Sequence, residues 1–266
     1  MTGSANTNKR TLVTGASAGL GAEFARQLAA RGNDLVLVAR REGRLLELAK
    51  KLNQNLGVRA DVIVADLADP SAPKRIADTC ADNSWEIDWL INNAGIAGPD
   101  LLKDRSWRDQ QTFFQLMMLA VADLCHRLVP PMADRGFGRV INVASVAARV
   151  PRYGGCNYGP AKAYLVALSE ELNLTVAAQG VHVSALCPGF THTDFHETAG
   201  LMEIKNNMAK WLWYDADVVV RDAIKGVDAG KPVVVSGRLY RWLDPIFQSV
   251  WTRRFLRIKA RPDPQP

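Results

Sequence analysis

The sequence predicts an α/β fold, a single doubly wound parallel sheet of seven strands with helices on both faces. Three observations carry that prediction. Short runs rich in Val, Ile and Leu alternate along the chain with stretches of helical periodicity. Those runs are continuously apolar, as strands are when helices cover both of their faces. Finally, 266 residues, 48% of them hydrophobic and 23% charged, suit one domain with a large core, and no repeat, low-complexity tract or linker divides the chain.

Taken in order, strands are expected at Thr11–Thr14, Leu35–Ala39, Val58–Ala65, Ile87–Asn92, Gly138–Ala144, Val181–Cys187 and Pro232–Ser236. Apolar residues three and four apart mark helices over Leu20–Arg31, Arg44–Leu56 and Ala216–Ala229. Another helix is expected to begin at about Tyr158. Pro160 fits its first turn, where a proline removes no intrahelical hydrogen bond. Tyr164, Leu165, Leu168, Leu172 and Val176 then carry the apolar period to about Ala178. In such a helix Tyr158 and Lys162 stand one above the other. On its own this pair reads as an ordinary surface pair, and only the rest of the chain argues otherwise.

Composition narrows the function classes. Cys80, Cys125, Cys156 and Cys187 are widely spaced, form no CxxC pair, and read as buried thiols of a reducing compartment. The histidines show no metal-ligand spacing beyond a local His192-Asp194-His196 run, which reads as a loop pair, so no metal is expected. The start, MTGSANTNKR, has no apolar core of a signal peptide, and no apolar run approaches the ~20 residues that span a bilayer. The net charge of +6 is concentrated near the end. Between Arg238 and Arg261 seven basic residues face one acid, Asp244, and interleave with Trp242, Ile246, Phe247, Val250, Trp251, Phe255, Leu256 and Ile258. That pattern fits an amphipathic helix making peripheral contact with an anionic membrane. It equally fits a terminal helix packed on its own domain or on a twin subunit. No nucleic-acid-reading motif is present.

The first expected strand runs into TGASAGLG, with Gly15, Ser17, Gly19, Leu20 and Gly21 opening the next helix. Glycines there let backbone amides approach a pyrophosphate at the positive end of a helix, the signature of a dinucleotide site. The second strand ends in Ala39, Arg40 and Arg41 rather than in the acid that would bind a free ribose hydroxyl. Guanidinium groups at that position suit a 2′-phosphate, so NADP(H) is favoured over NAD(H), the alternative being two solvated arginines. Asp66 and Leu67 follow the third strand, where adenine would lie. Asn93, Ala94 and Gly95 follow the fourth, where small residues let a cofactor cross.

The ordered set TGASAGLG, Asp66-Leu67, NNAG, Ser145, YGPAK and Cys187-Pro188-Gly189 resembles the short-chain dehydrogenase/reductase family, from about Thr11 to Gly237. Ser145 precedes Tyr158 by thirteen residues, the family's usual spacing. The resemblance implies a Rossmann-type domain over 9–237 with a substrate lid at 190–215, after a flexible tail at 1–8 and before a basic aromatic helix and tail at 238–266. It implies an NAD(P)-dependent cytoplasmic oxidoreductase working as a homodimer or homotetramer. By the same resemblance, Tyr158 is the proton donor, Ser145 positions the substrate oxygen, and Lys162 holds the nicotinamide ribose. Pro188, Gly189, Thr191 and Thr193 belong to the loop that meets the carboxamide and phosphates.

The chemistry agrees with those roles. Reducing a ketone needs a hydride and a proton for the oxygen, and a free phenol with pKa ≈ 10 is a poor donor near neutrality. A neighbouring ammonium favours the phenolate and moves the phenol toward the working pH. One residue departs from the family pattern. The helix before the fifth strand carries Met117 where the resemblance implies an asparagine that supports a water relay to the lysine. A thioether cannot hydrogen-bond as an amide does. A backbone carbonyl bent toward Lys162, or Gln115, would then take its place. The alternative is a non-catalytic dinucleotide-binding scaffold or a membrane-recruited relative with weakened activity. Leu201, Met202, Ile204, Met208, Trp211, Leu212, Trp213 and Tyr214 make the lid apolar, which suits a lipophilic ketone or 3-oxoacyl substrate and equally suits a lid packed on the core.

Overall fold

The computed structural model describes residues 8–150, 157–192, 213–249 and 251. Its strands are β1 (Arg10–Thr14), β2 (Asp34–Ala39), β3 (Ala60–Val64), β4 (Trp89–Asn92), β5 (Gly138–Val143), β6 (Val181–Cys187), β7 (Phe190–Thr191), β8 (Trp213–Tyr214) and β9 (Val233–Val235). Seven of them form one parallel sheet in the order β3-β2-β1-β4-β5-β6-β9, as expected. The short β7 and β8 pair in parallel as a separate two-stranded sheet that the sequence did not signal.

Period-two alternation distributes the apolar side chains to two cores. Leu12, Val36, Val38, Leu90, Val140, Val183 and Ala185 point to one face, while Val13, Leu35, Leu37, Ile91, Ile141 and Leu186 point to the other. The second face is covered by α1 (Gly19–Ala29) and α2 (Glu42–Leu56). The first is covered by α3 (Ala72–Asp82) and, beyond α4 (Trp107–Phe114), by α5 (Ala120–Asp134) and α6 (Tyr158–Val176). The chain then returns through α7 (Ala216–Asp228), again on the second face, to α8 (Arg238–Gln248). Each fully buried Leu, Ile or Val contributes roughly 1.5–3 kcal/mol, so both faces are sealed by the same residues that form the strands.

Element edges shift by a residue or two from the sequence expectation. The third strand starts at Ala60 rather than Val58, because Gly57 closes α2 in the left-handed region (φ 67) and Val58 turns into the core before pairing begins. The fourth starts at Trp89, since the Asp88 carboxylate is engaged with the Arg10 amide at the strand's entry. The helix from Tyr158 ends at Val176 in a 3-10 turn, Ala177–Gln179, closed by Gly180 (φ 78).

Between α4 and α5 the helix continues through a π turn, Gln115–Leu119, where the amide of Ala120 reaches back to Gln115. No Pro or Gly in that stretch announces it. By length and composition the continuous helix Trp107–Asp134 is apolar enough to cross a membrane, contrary to the reading that no such run exists. Half of its most apolar window is nevertheless buried inside the protein, with Leu124, Leu128 and Met132 in the core.

Sheet order reverses between β1 and β4. Loops leaving those strands separate at their carboxyl ends and open the crevice where ligands of such sheets bind.

Candidate active site

The glycine turn and the loop after β4 are interlocked by two side chains, each bonded to the other segment's backbone. Thr14 Oγ1 accepts the amides of Asn93 and Ala94 at 2.9 and 3.1 Å, and Asn93 Nδ2 donates to the carbonyls of Thr14 and Gly15 at 3.0 and 3.3 Å. Gly15 sits at φ 65, and a side chain on it would strike Asn93 and Ala94. A side chain on Gly21 would overlap the Gly15 carbonyl. Gly15 is thus required by close approach and by dihedral angle, and Gly21 by close approach alone. Gly19 also lies at positive φ, while Leu20 packs on the core below. The α1 N-cap is Ala18, extended at φ −169, and no side chain caps the helix. Its first amides therefore remain free of side-chain caps at the positive end of the helix dipole, which fits a dinucleotide pyrophosphate.

At the rim, Arg41 donates twice to Ser17 Oγ, at 3.2 and 2.9 Å, bringing the second strand's guanidinium onto the glycine turn. Arg40 stands 3.7 Å from Asp66, and both are well exposed. Two guanidinium groups and a hydroxyl thus gather where the ribose of a bound nucleotide would end, and they fit a phosphate. Asp66 Oδ1 also accepts the Ala68 amide at 3.0 Å. Leu67 is buried in the core.

On the other side of the crevice α6 presents Tyr158 and Lys162 on one face, with Lys162 Nζ 5.7 Å from the centre of the Tyr158 ring. Lys162 is buried, and its ammonium donates to the Val143 carbonyl at 2.6 Å. Among the described residues no carboxylate lies within ion-pair distance of it. Burial pushes its pKa down from 10.5 to about 8. Burial likewise pushes the Cys187 thiol up to about 12, so that neighbour supplies no counter-charge. Ser145 begins a 3-10 turn, Val146–Ala148, and its Oγ accepts the Ala147 amide at 3.1 Å. The hydroxyl proton stays free to be given elsewhere. Gly159 lets this turn lie against α6, since a side chain there would press on the Ala147 carbonyl. The same turn is tied to the next loop by Val146 N donating to Pro188 O at 3.0 Å.

Met117 is 1% exposed and lies in the π turn, against Gly95. A side chain on Gly95 would press on the thioether and approach Lys162 Nζ. The sulfur accepts the Ile96 amide at 3.3 Å, so it holds the loop after β4 even though it is not an amide. In a π turn the amides reach back five residues rather than four, and a carbonyl at the turn loses its usual partner.

Pro188 and Gly189 follow β6, and Thr191 Oγ1 is buried and donates to the Gly189 carbonyl at 3.1 Å. In this arrangement Thr191 braces its own turn. Thr193, Cys156 and most of the expected lid, 193–212, lie outside the described residues, as do 1–7 and the basic run after Trp251. Three features escaped the sequence reading. Asn92, Asn142 and Ser169 form a buried chain beneath the site, with bonds of 2.8 and 2.9 Å. Tyr240 of α8 lies so close over Gly189 that any side chain there would meet its ring. Arg149, just after the Ser145 turn, forms a bidentate pair with Asp244, at 2.8 and 2.6 Å. Only the first left a sequence trace, the paired asparagines of NNAG.

Residues 9–203 match the family described as short chain dehydrogenase. Sulfoacetaldehyde reductase 2 of Chromohalobacter salexigens is 33% identical over 186 residues, 69% of this chain and 73% of that one. The 3-oxoacyl-[acyl-carrier-protein] reductase FabG of Salmonella typhimurium is 33% identical over 189 residues, 70% of this chain and 75% of its own. A short-chain dehydrogenase from Sphingobium yanoikuyae, solved in complex with NADPH, superposes with a TM-score of 0.78 at 31% identity, covering 88% of this chain and 91% of that one.

Proposed function

Because this chain belongs to the short-chain dehydrogenase family of NAD(P)-dependent oxidoreductases that interconvert CH–OH and C=O groups, we propose that it is an NADPH-preferring reductase of an apolar ketone or 3-oxoacyl compound. The observation that carries the reading is Lys162. An ammonium buried without a carboxylate is costly, and it is kept directly beneath a phenol at the mouth of the crevice.

In this reading the nicotinamide, when bound, supplies or accepts the hydride. Tyr158 gives its hydroxyl proton to the carbonyl oxygen as that oxygen gains charge. The Lys162 ammonium stabilises the phenolate that remains. Ser145, whose oxygen already accepts Ala147 N, turns its own proton to the substrate oxygen and fixes its position. Gly15, Gly19 and the uncapped amides of α1 hold the pyrophosphate. Arg40, Arg41 and Ser17 hold a 2′-phosphate, and Asp66 with the Leu67 backbone borders the adenine. Asn93, Ala94, Gly95, Pro188 and Gly189 line the nicotinamide side, with Thr191 and Thr193 in the loop beside it. A carbonyl freed by the π turn is the group that would steady a relay water at Lys162 in place of the amide that Met117 lacks.

Substrate chemistry follows from the apolar lid sequence and from Phe190 packed on Trp213, with ring centres 5.3 Å apart. The two curated relatives differ here, since one is named for a small polar aldehyde and the other for acyl thioesters. The test is kcat/KM with NADPH and with NADH across 3-oxoacyl thioesters of increasing chain length. The expected result is a rise with each added methylene and at least tenfold tighter NADPH binding, ~1.4 kcal/mol. A flat series would remove the acyl slot. Met117 is the observation that favours a second reading, a dinucleotide-binding scaffold, which NADPH binding without turnover on any carbonyl would select. The proposal extends to a cytoplasmic homodimer or homotetramer, to be checked by sedimentation. Any membrane contact through the C-terminal segment would be checked by vesicle sedimentation.

A further inference from the structure

We propose that the C-terminal helix α8 is a brace that holds both loops of the catalytic site, with Asp244 and Gln248 as positioning residues that act through Arg149. This rests on the function proposed above and adds to it a segment beyond the family match, which ends at residue 203.

Arg149 stands beside the Ser145 turn. It is the C-cap of the 3-10 turn that Ser145 begins, four residues after that serine and nine before Tyr158. Its guanidinium is only 16% exposed and is gripped by both oxygens of Asp244, itself 19% exposed, through Nε at 2.8 Å and the terminal nitrogen at 2.6 Å. Such a fork fixes the direction of the guanidinium as well as its distance, which a single contact would not. One helical turn further on, Gln248 Nε2 donates to the Arg149 carbonyl at 3.0 Å. Side chain and backbone of the same residue are therefore tied to α8.

The other end of the helix holds the facing loop. Tyr240 closes over Gly189, leaving no room there for a side chain. The Leu239 amide donates to the Tyr214 hydroxyl at 3.4 Å, and the Tyr214 and Tyr240 rings lie 6.1 Å apart. Arg241 anchors the helix from outside, on the Val235 carbonyl at 3.4 Å and Asp222 at 3.1 Å. The two loops are also joined directly through Val146 N and Pro188 O. One helix thus spans the Ser145 turn and the Pro188-Gly189 turn. Asp244, the lone acid among the basic residues from Arg238 to Arg261, is used for this tie.

Transfer between positioned groups is sensitive to displacements of about 1 Å, which cost up to about a hundredfold. The test compares native protein with Asp244→Asn, which keeps the shape and removes the charge of the fork, and with Gln248→Ala as a milder change. Readouts are kcat and KM for acetoacetyl-CoA with NADPH, the NADPH Kd from tryptophan fluorescence, and hydrogen exchange at the Ala147, Ala148 and Arg149 amides. The expected result for Asp244→Asn is a kcat lowered about tenfold or more, an NADPH Kd within about twofold of native, and faster exchange confined to those amides and the Gly189 turn. A kcat within about twofold of native, or unchanged exchange at the three amides, overturns the brace. If native protein fails to turn over any carbonyl, the proposed function falls, while the exchange measurement still decides whether α8 holds the loops.

Discussion

The two banks of the crevice are held by different means. On the side proposed for the cofactor, the glycine turn and the loop after β4 are locked by short side chains bonded to backbone at the ends of adjacent strands. Thr14, Gly15, Asn93 and Ala94 interlock through the Thr14 hydroxyl and the Asn93 side-chain amide. On the catalytic side, Ser145 and Gly189 depend on side chains of α8, through the Arg149–Asp244 pair and the Tyr240 ring. A bank closed by glycines and by short side chains at paired strand ends tolerates little change of residue type, and its partners follow from the pairing of β1 with β4. A bank tied to a separate helix is exposed to substitutions far along the chain, such as those at Tyr240 and Asp244.

Substitutions can break this contrast one bank at a time. Apart from the loss of the Tyr158 phenol, the largest effect is expected at Lys162. Lys162→Met should lower kcat by about a hundredfold or more, the range of a lost acid–base component. The same change should stabilise the protein. The folded pKa is about 8 against 10.5, so below pH 8 both states are protonated and the burial cost, about 3 kcal/mol, is present in full. Between pH 8 and 10.5 the unfolded chain binds the proton that the folded one has lost, so native stability rises with pH through that window. The Val143 carbonyl loses a donor in the variant, offsetting about 1 kcal/mol. Unfolding followed from pH 7 to 10.5 should therefore show the variant about 2 kcal/mol more stable at pH 7, with the advantage closing by pH 10.5.

Next comes Gly21→Ala on the bank of the glycine turn. The added methyl meets the Gly15 carbonyl, which cannot yield without moving the glycine turn. Stability should fall by about 1–3 kcal/mol, and NADPH binding should weaken by about tenfold or more in fluorescence titration. Arg41→Ala acts only at the rim, and should reduce the preference for NADPH over NADH by about tenfold through the loss of one charge-assisted contact. Smallest is Met117→Leu, which keeps the volume and removes the sulfur acceptor of Ile96 N. Turnover should change by about fivefold at most, since a thioether bond is weak.

What the sequence revealed follows the same division. The glycine turn, NNAG and the Tyr158–Lys162 helix are local patterns whose spacing is dictated by a strand end or a helix period. They were legible together with all seven strands of the main sheet. Arg149 and Asp244 are 95 residues apart, and nothing near either announces the other. The Asn92–Asn142–Ser169 chain crosses two strands and a helix, so its partners appear only once the register of β4 on β5 is known. The π turn at Gln115–Leu119 carries no glycine or proline, and its widened turn is visible only in the backbone. Even so, the odd residue within it, Met117, stood out by comparison with the family pattern.

The most direct test of the account is a paired measurement on Tyr158→Phe, with kcat for acetoacetyl-CoA reduction and NADPH Kd determined on the same preparation beside native protein. The phenol's removal should leave the cofactor bank untouched, so Kd should stay within about twofold while kcat falls by about a hundredfold to ten-thousandfold. Turnover within about threefold of native would show that the proton comes from elsewhere and would contradict the account.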